Sequence, residues 1–444
     1  MTELAERTAA SRAPEDGLAA GRSVPHLVTE VPGPNARALV AMDARYTSPS
    51  LPRAYPIVPR RGDGLVIEDV DGNLFLDFAA GIAVTSTGHS HPEVVRAVQR
   101  QAESLLHFSA SDFYLPIYVE VCRELDRISP TRGPNRAFLT NSGTEAIEAA
   151  LKLARHATGR QNVIAFFGAF HGRTYGSVSL TASRAKYHAR FGPLLPGVYH
   201  APFGTREGLD FITGQLFKRV VVPEEVAAIF VEPILGEGGY VVPDDDFLPG
   251  LREICDRYGI LLVADEVQSG AGRTGRMWAV EHWGVTPDMV VLAKGIASGL
   301  PLGAMVARAD LFGWTKGAHG STYGGNPLAC AAALETIRLL EGGLVDNAAR
   351  MGDRLMGALR ERLVGRYGIV REVRGKGLMI GIAFDSGEHA EAVQEASFQR
   401  GLLVLEAGDD VVRICPALSV APEQVDTAVT IFEEAVAEVA RQAE

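Results

Sequence analysis

The chain has few of the residues that staple or metallate a small fold. Its 444 residues include four cysteines, Cys122, Cys255, Cys330 and Cys415, which are far apart and show no ligand-like spacing. They read as reduced thiols of an intracellular protein. His89-Ser90-His91 has no third ligand at useful distance along the chain. Pro92 opens a helix directly after it, so the histidine pair is read as shaping a loop, and no metal is expected. No apolar run is long enough to span a bilayer. Met1-Thr2-Glu3-Leu4-Ala5-Glu6 carries early acid and no continuous apolar stretch, unlike a signal peptide. The expectation is a cytoplasmic protein with no membrane partner. Positive charge is in deficit, 43 Lys and Arg against 54 Asp and Glu for a formal net charge of -11, which argues against a nucleic-acid partner. Any anionic ligand must then be held by local backbone dipoles and single arginines. Neither a Ser-His-Asp arrangement nor a G-x-S-x-G elbow is present.

With 47% hydrophobic and 22% charged residues, the composition is that of an ordinary globular protein with a large core, long enough for a major and a minor domain. Residues 1–25 are polar and read as a loose arm. Residues 26–80 hold a small antiparallel meander around Leu65 to Phe78, punctuated by Asp63-Gly64 and Asp71-Gly72, and are assigned to the minor domain. From 81 to 341, apolar strands alternate with amphipathic helices, the pattern of an α/β domain with a mainly parallel sheet covered on both faces. Strands are predicted at Arg136–Thr140, Val163–Phe167, Ala227–Val231, Gly259–Ala264 and Met289–Ala293. After Gly342-Gly343 the texture changes to a long helix (about Leu344–Arg366), the run Gly375–Ile382, more helix, and a short strand at Val411–Ile414. Residues 342–444 form a separate α+β unit.

Two of the predicted strands deliver chemistry at comparable ends. The strand Gly259–Ala264 runs into Asp265-Glu266, and Met289–Ala293 runs into Lys294, which glycine-containing sequence follows. A buried lysine can condense with an aldehyde, and a carboxylate opposite can keep a pyridine nitrogen protonated. Those are the two fixed requirements of pyridoxal phosphate (PLP) chemistry. At about 3 Å and an effective dielectric near 20, such a carboxylate–pyridinium attraction is on the order of 5 kcal/mol before desolvation. Free lysine, with a pKa near 10.4, is unprotonated in only about one molecule in 2,500 at pH 7, so burial of Lys294 matters. A third strand, Arg136–Thr140, leads through Asn141-Ser142-Gly143-Thr144-Glu145 into a helix with apolar residues at 146, 147, 150, 151 and 154. Ser142, Gly143 and Thr144 thereby sit at a helix N-terminus, where free N–H groups and the macrodipole favour a phosphate. A competing pattern is Gly270-Ala271-Gly272-Arg273-Thr274-Gly275, which fits the dinucleotide fingerprint of an NAD-dependent dehydrogenase. Five residues separate it from its strand and no glycine-packed helix follows, contrary to what that fingerprint needs.

Taken together, Asn141–Ala146, Phe170-His171-Gly172-Arg173-Thr174, Val231-Glu232-Pro233, Gly236-Glu237-Gly238-Gly239, Ala264–Gly270, Ala293-Lys294-Gly295 and Gly324-Gly325-Asn326-Pro327 resemble, in this order, the class III aminotransferases. The resemblance runs from about Pro32 to the C-terminus. Phe78–Val84 and the Phe-His-Gly-Arg-Thr-Tyr run are most similar to the 4-aminobutyrate branch. Ser179–Ser183 and the Gly-His-Ser-His-Pro loop are similar to ornithine and acetylornithine aminotransferases and to archaeal-type amino-acid racemases. The resemblance implies fold type I, with a seven-stranded sheet in the large domain, PLP as cofactor, and a homodimer or tetramer. It implies Phe170 and Val267 on the two ring faces with His171 beside them, and Gln268 donating to the phenolic oxygen. Thr322 would reach the phosphate from the neighbouring subunit. It gives Arg173 the distal carboxylate of 4-aminobutyrate or 2-oxoglutarate and Arg413 the α-carboxylate. Glu237 would pair with Arg413 as a switch, and Ile82 would wall the substrate carbons. Lys294, Asp265 and Glu237 are the catalytic set, acting on a small-molecule amino donor and a 2-oxo acid acceptor. Leu235, where many relatives carry glutamine, departs from the pattern. Asp112, read as a helix N-cap, could instead meet a distal ammonium and favour ornithine or lysine.

Overall fold

The computed structural model describes residues 17–19 and 21–443. The arm expected at residues 1–25 falls largely outside them; within it Leu18 is buried against Val66 and Leu74, its N–H donating to Asp63. Strands β1 (Pro59–Asp63), β2 (Val66–Asp69) and β3 (Leu74–Asp77) form the antiparallel meander. The central sheet is built from β4 (Asn135–Thr140), β5 (Asn162–Phe166), β6 (Val198–Ala201), β7 (Val226–Val231), β8 (Leu261–Asp265), β9 (Met289–Leu292) and β10 (Gly303–Arg308). Its order is β4-β10-β9-β8-β7-β5-β6. β6, β5, β7, β8 and β9 pair in parallel, and β10 is antiparallel to both of its neighbours, so β10 alone runs against the rest.

Why these segments are strands is visible in their burial. Every residue of β7, β8 and β9 is buried, because helices cover both faces and no position is left for a polar side chain. Alternate residues supply the two faces. Val163, Phe230, Val263 and Val291 pack under the helix Gly143–Thr158. Ile164, Ile229, Val231 and Leu262 pack under the helix Phe247–Tyr258. At roughly 1.5–3 kcal/mol per fully buried large aliphatic side chain, these layers hold the carboxyl ends of the strands rigid, and the chemistry stands at those ends. The helix Gly143–Thr158 is fixed at both ends: Ser142 caps its start, and Gly159, at φ +68, turns the chain out of it.

A third sheet combines β11 (Val370–Lys376), β12 (Met379–Phe384), β14 (Leu405–Ala407) and β15 (Val411–Ile414) in the order β11-β12-β15-β14. The short β13 (Leu402–Leu403) joins the N-terminal meander beside β3. The long helix spans Val345–Leu363. No described helix is long and apolar enough to cross a membrane. The sequence pattern misses two strands of the central sheet, β6 and β10, and the short β13 and β14. Asp112 corrects another expectation: it sits in an exposed turn, accepting from the Ser109 hydroxyl at 2.9 Å, while the following helix, Pro116–Ile128, has Leu115 at its N-cap and no side-chain cap.

Candidate active site

Three parallel strands end side by side and present Glu232, Asp265 and Lys294. Asp265 is opposite Val291 in the β8–β9 register, and Lys294 comes three residues later. The Lys294 backbone is left-handed at φ +46, a conformation that costs a non-glycine residue on the order of 1–2 kcal/mol and clusters at functional sites. Its amine makes no hydrogen bond or ion pair with the described residues. Burial pushes that amine down to about 8; the Arg413 charge helps, and Glu232 and Asp265 act in the opposite direction.

Asp265 Oδ2 lies 2.7 Å from His171 Nδ1, and Oδ1 accepts the Val267 N–H at 3.0 Å. Burial alone would lower the His171 pKa, but the hydrogen bond and charge of Asp265 outweigh it and raise it. His171 Nε2 is buried without a partner among the described residues. Glu232 Oε1 accepts the Phe170 N–H at 2.8 Å and Oε2 the Gly236 N–H at 2.9 Å; burial, then the neighbouring Asp265 charge, push its carboxyl up to about 7. Tyr240 donates to Gln268 Oε1 at 2.9 Å, which turns the Gln268 amide nitrogen toward Gly236, where any Cβ would collide with it.

The anion cradle predicted at 142–144 is an ordered helix start. Ser142 Oγ accepts the Glu145 N–H at 3.4 Å, and Glu145 reaches back to the Asn141 N–H at 2.6 Å. The N–H groups of Gly143 and Thr144 have no partner among the described residues. A Cβ at Gly143 would stand 2.9 Å from Val267 Cγ1, so the glycine is required by this close approach. The Thr144 hydroxyl faces Thr174 Oγ1 at 2.7 Å and Ser177 Oγ at 2.5 Å.

Arg413 is carried on β15, buried, with Nε and Nη1 making no hydrogen bond to the described residues. Nη1 is 3.6 Å from Glu237 Oε2, and Glu237 Oε1 accepts from the Tyr187 hydroxyl at 3.0 Å. Arg173 is exposed, with its guanidinium 5.1 Å from the Phe170 ring centroid and 5.0 Å from that of Tyr187, a cation–π stack with no ion pair among the described residues. Tyr187 therefore links the two arginines. Ile82 is 43% exposed. Thr322 is exposed and makes no hydrogen bond with the other candidate residues; its neighbour Ser321 accepts from Asn141 at 3.4 Å. Leu235 is buried and pairs with Val241 across a single bridge. Gly270–Gly275 forms no dinucleotide turn: Arg273 is buried and donates to the Leu378 and Pro416 carbonyls. Sequence reasoning assigned no role to Glu232, Tyr187 or Tyr240. For Glu232 a signal existed, a carboxylate ending an otherwise wholly apolar strand.

Residues 48–436 match the family model of class-III aminotransferases. The chain belongs to the class III aminotransferase family. It is 42% identical over 378 residues to the acetylornithine aminotransferase of Archaeoglobus fulgidus, covering 85% of this chain and 94% of that one. It is 39% identical over 425 residues to the 4-aminobutyrate aminotransferase of Mycobacterium tuberculosis (89% and 94%). The alanine/serine racemase of Pyrococcus horikoshii is 36% identical over 440 residues (93% and 92%). Among solved structures, the ornithine aminotransferase of Toxoplasma gondii superposes with a TM-score of 0.84 at 33% identity, over 91% of this chain and 95% of that one. The fold is that of the type I PLP-dependent enzymes.

Class III aminotransferases depend on PLP, and the residues present fit that group. Two unpaired helix-start N–H groups suit a phosphate, a partnerless lysine suits an aldehyde, and a buried carboxylate on the adjacent strand suits a protonated ring nitrogen. The orphaned His171 Nε2 and Arg413 N–H groups are the kind of buried donors that a bound cofactor and substrate satisfy.

Proposed function

We propose that this class III aminotransferase moves the amino group of an ω-amino acid, 4-aminobutyrate, to 2-oxoglutarate, giving an aldehyde and glutamate. The observation that carries the reading is the Arg413–Glu237–Tyr187 arrangement. A buried guanidinium with two unsatisfied nitrogens stands 3.6 Å from a carboxylate that a tyrosine can hold back. Such a pair masks the cation when the donor has no α-carboxylate and exposes it, by rotation of Glu237, when 2-oxoglutarate enters. Arg173, unpaired and steadied on two aromatic rings, is then the second carboxylate site that both substrates need.

When bound, PLP supplies an electron sink for the carbanion next to the transferred nitrogen. The proposed holders are Ser142, Gly143 and Thr144 for the phosphate, Asp265 for the ring nitrogen, Phe170 and Val267 for the ring faces, and Gln268 for the phenolic oxygen. With that group bound, Lys294 would be the base that takes a proton from the substrate carbon and returns it, as an amine with depressed basicity is suited to do. Asp265, oriented by His171, would hold a proton at the ring nitrogen. Ile82 shields the substrate carbons from water. The exposed cluster Leu106, Phe108, Phe113, Tyr114 and Tyr323 is assigned to contact with a second copy, which would bring a neighbouring Thr322 to the phosphate.

A second reading, acetylornithine or ornithine as donor, is favoured by the 42% identity to the Archaeoglobus relative, and racemisation by the 36% identity to the Pyrococcus one. The test is to offer 4-aminobutyrate, N-acetylornithine, ornithine, alanine and glutamate separately to the holoenzyme and to follow the visible cofactor band. Bleaching by 4-aminobutyrate and by glutamate is expected. Bleaching by N-acetylornithine or ornithine but not 4-aminobutyrate would replace the donor; loss of alanine chirality without net amine transfer would replace the reaction.

A further inference from the structure

Residues 80–83 have φ values of +48, +61, +68 and +58. Only Gly81 among them is at ease there. Ala80, Ile82 and Ala83 are forced into a left-handed turn that L-residues avoid, and for β-branched Ile82 it is an outright outlier. Such a turn persists only where its surroundings over-determine it. It closes on itself through Ile82 and Ala83 N–H bonds to the Ala79 carbonyl at 2.9 and 3.0 Å, and a Val84 N–H bond to Ala80 at 2.8 Å.

What fixes its entry is a single carboxylate. Asp77 Oδ1 accepts the N–H groups of both Ala79 and Ala80, at 2.8 and 3.0 Å. Oδ2 is 2.7 Å from His89 Nε2. His89 is itself anchored, since its backbone exchanges two hydrogen bonds with Gly64, at 2.7 and 3.0 Å. The neighbouring His91 does something else, accepting the Glu93 N–H at 3.3 Å as cap of the next helix. The two histidines of the loop therefore have separate tasks, and neither requires a metal. The turn also abuts the candidate active site. Ala83 packs with Tyr240 and Cys415, Tyr240 holds Gln268, and Ser86 fills the space against Gly295, next to Lys294.

We propose that Asp77 and His89 are positioning residues that clamp the left-handed turn 80–83, so that Ile82 stands as a fixed apolar wall selecting the amino donor. This inference rests on the substrate-facing role given to Ile82 under the proposed function. Without the His89 contact Asp77 can swivel, the strain at Ala80 and Ile82 is free to relax, and the wall moves while Lys294, Asp265 and the helix start at Gly143 remain in place.

The experiment compares His89→Ala, His89→Gln and the double variant His89→Ala with Ala80→Gly. Single-turnover bleaching of the holoenzyme is followed with whichever of 4-aminobutyrate, N-acetylornithine and alanine works on the wild type. For His89→Ala the half-saturating donor concentration should rise about tenfold, with maximal rate within about threefold and cofactor content unchanged, the signature of lost binding rather than lost chemistry. His89→Gln can still donate to Asp77 and should stay within about threefold of wild type. Glycine is unstrained at position 80, so Ala80→Gly should recover most of the loss in the double variant. A parallel fall of rate and cofactor content with unchanged half-saturation, or no recovery by Ala80→Gly, overturns the clamp. As a single change, Ala80→Gly should raise Tm by about 1–2 °C; a fall overturns the strain on which the inference depends, even if His89→Ala does not fold. Should no donor bleach the wild type, the proposed function fails, while a fall in Tm for Ala80→Gly still overturns the clamp.

Discussion

Before PLP binds, the Lys294 amine should titrate at about 8 instead of 10.5. At pH 7.5 a lysine of the ordinary kind is about 0.1% free base, whereas one with a pKa of about 8 is about one-quarter free base, some 200-fold more nucleophile. Burial is the main cause and the Arg413 charge the second, so Arg413→Leu should move the midpoint upward by up to about one unit. The assay is reconstitution: apoenzyme is mixed with PLP from pH 6.5 to 10, and the rate of appearance of the visible band is fitted to a single titration. The rate should climb with pH and level off near 8 in the wild type, and level off later in Arg413→Leu. Linkage gives an independent reading with a definite sign. The folded apoenzyme loses the Lys294 proton at about 8 and the unfolded chain near 10.4. Between those values the unfolded state holds more protons, so this lysine makes apoenzyme stability rise with pH across that window. A reconstitution rate that keeps rising in proportion to hydroxide through pH 9.5 would refute the reasoning, because it would mean that the amine is solvated like any surface lysine.

Asp265→Asn should lower kcat about 10³-fold while PLP still binds: a carboxylate 3–4 Å from a pyridinium is worth on the order of 4–5 kcal/mol at an effective dielectric of 20, and each 1.36 kcal/mol is tenfold in rate. Steady-state rates alongside the intensity of the visible band check both halves of that statement. Arg413→Leu should raise KM for 2-oxoglutarate about 10²- to 10³-fold, from the loss of two charge-assisted hydrogen bonds, yet leave the 4-aminobutyrate half-reaction within a few-fold. Glu237→Gln should do the reverse, slowing the 4-aminobutyrate half-reaction and sparing glutamate; equal effects of each variant on both half-reactions would remove the switch.

How much of this could be read from the sequence depends on how local the cause is. β7 and β9 were legible because burial on both faces writes an unbroken apolar run, Val226–Val231 and Met289–Leu292. β6 escaped because it is a partly exposed edge strand with a single buried residue. β10 escaped because it enters from Gly299-Leu300-Pro301 and is defined by its antiparallel neighbours on either side, which no local signal announces. In the site, a lysine after a buried strand and a glycine at a helix start are local signals, and both segments hold the predicted secondary structure. Pairings between distant segments are not local. His171 and Asp265 meet across 94 residues and Tyr187 and Glu237 across 50. Asp112 failed in the same sense: the sequence offers a cap, but Asp112 is taken up by a turn with Ser109 and the helix starts later, at Pro116, with no side-chain cap.

The same distinction bears on substrate choice. Relatives named for acetylornithine, 4-aminobutyrate and alanine/serine chemistry lie between 36% and 42% identity, so whatever separates them need not lie in motifs as recognisable as those around Lys294, Asp265 and Gly143. The proposed rim residues Ile82, Arg173, Tyr187 and Glu237 are the candidates for that difference, each held on a loop or a short turn rather than on the sheet. A loop residue moved by one ångström changes which donor fits while leaving the electron sink and the lysine untouched. Donor preference in this chain should therefore respond to substitutions that shift backbone under the rim, such as those at Asp77, His89 and Glu232, as strongly as to substitutions of the rim side chains themselves.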